Sequence, residues 1–75
     1  MPKLPVISGD ALVRALARFG YAVDHQTGSH IILRNDQPPY RRLTVPRHKE
    51  IAKGTLRSIL RQAGLTPAEL FAKDK

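Results

Sequence analysis

Apolar residues Leu12, Val13, Leu16 and Phe19 recur at three- and four-residue spacing, the pattern of one helix face. Ser8 stands before them as an N-cap, Asp10 complements the helix dipole, and Gly20 falls where a glycine ends a helix. The spacing predicts a helix over 9–19. The period then changes. Tyr21 to Gln26 alternates as a half-buried strand does, Thr27-Gly28 offers a two-residue turn, and Ser29 to Arg34 is a second strand rich in β-branched residues. Asn35 to Pro39 reads as a loop and Arg41 to Val45 as a third strand, ended by Pro46, which has no N–H for a ladder. His48 to Lys53 is polar and carries no periodic signal. After Gly54, Leu56, Ile59, Leu60 and Ala63 restore the helical period, with Gly64 as the stop and Arg57 and Arg61 on the opposite face. Thr66-Pro67-Ala68-Glu69 is a capping box with proline at the first helical position, predicting a short last helix over 67–73 that holds Leu70 and Phe71.

Consecutive strands with short connections pair antiparallel, and two amphipathic helices need one sheet face to bury their stripes. The expected architecture is α+β: a three-stranded antiparallel sheet with helices on one face, ordered α-β-β-β-α, plus a short C-terminal helix. Alternation sends Ile31, Leu33, Leu43 and Val45 toward the helices. It sends His30, Ile32 and Arg34, with Arg42 and Thr44, to the open face. On this reading His30 and Arg42 project together from adjacent strands.

With 75 residues, the chain has room for one domain, and an apolar share of 41 % suits a compact core rather than a disordered chain. The formal net charge is +7, and it is unevenly placed. Residues 1–33 are near balance and the tail from 62 onward is neutral. Residues 34–61 carry Arg34, Arg41, Arg42, Arg47, Lys49, Lys53, Arg57 and Arg61 against only Asp36 and Glu50. Such a cluster is the electrostatic footprint of a polyanion partner, with a merely solvated basic face as the plain alternative. The absence of cysteine excludes a disulfide framework, thiolate metal ligation and a thiol nucleophile. No apolar run approaches the roughly 20 residues that span a bilayer, so a soluble, cytoplasmic protein with no membrane partner is expected.

His30, just before this basic stretch, is the residue best suited to chemistry. An imidazole moves protons at neutral pH without a metal, and RNA brings its own nucleophile in the 2′-hydroxyl. Gly28 and Ser29 just before it allow close backbone approach and a hydroxyl contact to a phosphate. By itself a histidine on a strand is more often a surface or packing residue, and His25 is read that way. His48, between Arg47 and Lys49, is read as a phosphate contact rather than a base. Lys53-Gly54-Thr55 opens a helix whose N–H groups and cation suit an anion. No ligand spacing for a metal is present, and no cofactor is expected.

Gly28-Ser29-His30 opening a strand, Thr44-Val45-Pro46 closing the next, His48, and the run from Lys53 to Gly64 together resemble the HicA family of mRNA-interferase toxins. The resemblance extends from about Ser8 to Leu65, beginning with Ser8-Gly9 and continuing through Gly20-Tyr21. It implies a double-stranded-RNA-binding-domain-like fold and a ribosome-independent ribonuclease that cuts mRNA and is blocked by a HicB-type antitoxin. The family's catalytic histidine follows Gly-Ser, which corresponds to His30. Arg42 and Lys53 would then hold the phosphate, with Gly28, Ser29, His48, Thr55 and Arg57 as further RNA contacts. Many relatives carry a second histidine where this chain has Ile31, a position that alternation directs into the core. No second proton-transfer group is assigned by the sequence. Two rival readings stay open: a non-catalytic RNA-binding module on the same fold, and a helix-turn-helix DNA-binding protein built from 56–63 and 67–73.

Overall fold

The computed structural model describes residues 6–72. Its elements are α1 (Gly9–Ala17), β1 (Tyr21–Thr27), β2 (His30–Asn35), β3 (Arg42–Pro46), α2 (Lys53–Ala63) and α3 (Pro67–Leu70). The Ser8 side chain accepts from the Ala11 N–H at 3.1 Å, satisfying one of the donors that a helix start leaves without a partner. α1 ends two residues earlier than the periodicity predicts. Phe19 and Gly20 donate to Leu16 and Ala17 at 2.9 and 3.2 Å, three residues back, so the chain tightens out of the helix before Gly20. The last helix is also shorter than the expected 67–73: it stops at Leu70, and Lys73 lies outside the described residues.

The sheet has the order β1-β2-β3, antiparallel throughout. β1 and β2 join through Gly28 and Ser29, since Thr27 pairs with His30. The turn is therefore one residue later than Thr27-Gly28. Gly28 has φ +52°, a left-handed conformation that costs a residue without a Cβ little. β1 contains a bulge between Val23 and His25, which leaves Asp24 without a register partner. The extra residue reverses the parity of the rest of the strand: His25 pairs with Ile32 and so shares the open face, whereas Val23 pairs with Leu33.

Ile31, Leu33, Leu43 and Val45 are buried as the alternation requires, in one cluster with Leu12 and Leu16 of α1 and Leu56, Ile59, Leu60 and Ala63 of α2. Val13 and Phe19 pack at its margin, and Leu70 of α3 closes it. α2 ends in a Schellman arrangement, with the Leu65 N–H donating to the Leu60 carbonyl at 3.0 Å.

The polar segment after β3, silent in the sequence, is held along the start of α1. Arg47 N–H donates to the Ser29 carbonyl at 2.6 Å, Gly9 N–H to the His48 carbonyl at 2.9 Å, and Ile51 N–H to the Ile7 carbonyl at 2.9 Å. Arg47 Nε also lies 3.2 Å from Asp10 Oδ1. Gly9 is buried here, and a Cβ on it would overlap the Pro46 carbonyl oxygen. Backbone on both sides leaves no flexible side chain to move aside. Gly9→Ala should therefore cost about 1–3 kcal/mol, the usual cost of overpacking, and lower the urea midpoint accordingly. An unchanged midpoint would mean that this close approach is not a constraint.

Candidate functional site

His30 is the first residue of β2, exposed, directly after the Gly28-Ser29 turn. Its register partner on β3 is Pro46. Two residues beyond Pro46, a period that keeps to one side of an extended chain, is His48. The Arg47–Ser29 hydrogen bond ties together the residues that precede the two histidines. His30 and His48 accordingly line one open cavity of about 400 Å3, together with Thr44, Pro46, Ala52 and Thr55.

One wall of that cavity is the N-terminus of α2. Ala52 is its N-cap and supplies no side-chain hydrogen bond, and its first turn carries no acidic residue. Among the described residues no side chain accepts from the first N–H groups of the helix, and no carboxylate in its first turn offsets the positive end of the helix dipole. Lys53 and Thr55 stand in that first turn, both exposed.

Two of the residues that the sequence groups with His30 are not brought to it. Arg42 pairs with Arg34, four register positions from the His30–Pro46 pair, which at the rise of a strand is about 13 Å. Face alternation predicts the side of the sheet and not the distance along it; antiparallel pairing runs β3 backward, so its first residue meets the far end of β2. Arg57 lies on α2 beside a different hollow, lined with it by Leu60, Arg61, Leu65, Thr66 and Pro67. Thr44 carries no role in the sequence reading, although alternation places it on the open face. The missing information is register, which puts Thr44 between the two ends and in the cavity wall.

Around Arg34 and Arg42 the far end of the open face is basic as well. Asp24 is held below its ordinary value chiefly by a hydrogen bond with His25, with the charges of Arg34 and Arg42 adding to it. His25 Nδ1 lies 2.8 Å from Asp24 Oδ2, so this histidine is engaged locally and stands outside the cavity. Ile31 is 4 % exposed and belongs to the core, so its position offers no side chain to the site.

All eight basic side chains of residues 34–61 are exposed, as a surface for a polyanion requires. Among the described residues no three His, Cys, Asp or Glu side chains come together as metal ligands. None of the described helices is long and apolar enough to cross a membrane. α3 has four residues, of which Leu70 is buried, so it is much shorter than the 67–73 helix expected as the second helix of a helix-turn-helix.

The curated proteins contain no match to the chain. The family model described as the HicA toxin of bacterial toxin–antitoxin systems matches residues 9–65. That span runs from the start of α1 through the turn that ends α2, and it contains the hairpin, the segment after β3 and every residue lining the cavity. With the greater part of the chain matched in this way, the protein belongs to the HicA family, the toxin component of a toxin–antitoxin system.

Proposed function

We propose that this toxin is a ribosome-independent, metal-independent endoribonuclease that cuts mRNA, with His30 as its catalytic residue. The observation that carries the reading is the convergence of His30, His48, Thr44 and Thr55 on one open cavity at the uncapped start of α2, within a basic surface. RNA carries the attacking 2′-hydroxyl next to the scissile phosphate, so the protein has three tasks. It must seat the phosphate, remove one proton and deliver another. Lys53 and the first N–H groups of α2 seat the phosphate, with Thr55 and Ser29 as hydroxyl contacts. Gly28 lets the RNA backbone approach, since nothing lies within 4 Å of where its Cβ would be.

Arg42 keeps its role as an RNA contact, but about 13 Å along the sheet from His30 and with Arg34 beside it. There it holds the strand away from the cut rather than the scissile phosphate. Arg57, on the other side of α2, is a peripheral contact of the same kind. The antitoxin partner of this family is, on this reading, a HicB-type protein whose acidic surface covers the basic face and closes over His30.

Purified protein incubated with a long single-stranded RNA and EDTA tests the reading. The expected result is cutting to fragments ending in 2′,3′-cyclic phosphate or its hydrolysis product. Binding without cutting would favour a non-catalytic RNA-binding module on the same surface. Cutting that EDTA abolishes would remove the metal-independent mechanism.

A further inference from the structure

We infer that His48 is the second proton-transfer residue of the site, dividing with His30 the two proton movements of phosphodiester cleavage; the inference rests on the ribonuclease reading above. Of the six described residues lining the cavity, only His30 and His48 carry an imidazole, the side chain best able both to take up and to give a proton; Thr44 and Thr55 offer hydroxyls that donate and accept hydrogen bonds. The two imidazoles come from different segments, one from the start of β2 and one from the chain after β3. Two separate segments thus bring an imidazole to the same cavity, so a phosphate seated there has two groups available, one to serve as base and one as acid.

The segment bearing His48 is also fixed rather than loose. Its own carbonyl is bonded to Gly9, and the residue before it is bonded to the one before His30. The His48 side chain itself is exposed and takes no part in these bonds. That combination, anchored backbone and exposed imidazole, is what a proton-transfer group needs.

Protons and bonds balance over the step. One imidazole, neutral, takes the 2′-hydroxyl proton while the 2′-oxygen bonds to phosphorus. The bond from phosphorus to the 5′-oxygen breaks, and the other imidazole, protonated, gives its proton to that oxygen. The products are a 2′,3′-cyclic phosphate and a 5′-hydroxyl, and the two histidines have exchanged protonation states.

The test uses an oligoribonucleotide spanning one site cut by the wild-type protein, made with the normal linkage and again with sulfur replacing the bridging 5′-oxygen. A thiolate leaves without a proton, so the sulfur substrate dispenses with the acid. On the normal substrate His48→Gln should lose about a hundred- to ten-thousand-fold in kcat with RNA affinity nearly unchanged, and its rate should keep only one limb of the wild-type bell-shaped pH profile. On the sulfur substrate, one of the variants His30→Ala and His48→Gln should recover nearly the wild-type rate and the other should not; the recovered variant identifies the acid. His25→Gln, on the same sheet face but outside the cavity, should cut both substrates normally. Rescue of neither variant, or a loss for His48→Gln confined to affinity, would overturn the proposal while leaving the ribonuclease reading in place. A wild-type protein that cuts neither substrate would remove both.

Discussion

Replacing His30 with alanine should leave a folded protein that binds RNA within a few-fold of wild type and cuts it a hundred- to ten-thousand-fold more slowly, the usual contribution of a positioned proton-transfer group. The two expectations separate because of where the side chain sits. His30 is exposed at the first position of β2, and none of its side-chain atoms is needed by the core. Its backbone pairings with Thr27 and Pro46 do not depend on the side chain. On the ribonuclease reading, affinity by contrast resides in the exposed cations spread over residues 34–61, which the substitution leaves intact. Cleavage time courses with EDTA, fluorescence anisotropy for binding and a thermal melt measure the three quantities. Equal cutting by the variant and the wild type would show that His30 is not the catalyst. A variant that neither cuts nor binds, yet melts normally, would instead make His30 an affinity contact.

The parts of this molecule legible in the sequence are those governed by period. The faces of α1 and α2, the four inward residues of β2 and β3, and the Thr66–Glu69 capping box all come from local spacing, and each is found where spacing puts it except Phe19, which packs against the core from beyond the end of α1. Features that depend on register or on long-range backbone bonds are not legible there. Arg42 groups with His30 by alternation because both reach the open face, but pairing places Arg42 opposite Arg34. His48 reads as a phosphate contact because it stands between Arg47 and Lys49; that it shares a cavity with His30 follows from bonds its segment makes to Gly9 and Ser29 across the fold. The bulge at Asp24 leaves no trace either, since alternation in β1 looks regular until its pairing with β2 is known.

The same division between face and position sets the largest expected effect on stability. Leu33 and Val23 are register partners on one side of the sheet, and alternation alone makes both core residues. Leu33, in the central strand, is 0 % exposed, whereas Val23, on the edge strand beside the bulge, is 53 % exposed. Leu33→Ala should therefore cost about 2–5 kcal/mol, because enclosing side chains from both helices and β3 close only part of the hole. A domain of this length has roughly 4–11 kcal/mol of stability in all, so the loss is a large fraction of it. Its melting temperature should fall by at least about 10 °C. Val23→Ala removes carbon that is already half in water and should change stability by less than about 1 kcal/mol. Thermal and urea melts of the two variants side by side decide the matter. Comparable losses would place Val23 in the core after all, and with it a β1 edge covered more fully than its exposure indicates. The expected asymmetry also reaches the site, since β2 carries Leu33 inward and His30 outward on one strand: as Leu33→Ala loosens that strand, cleavage should decline at temperatures below the global melt, while Val23→Ala cuts normally.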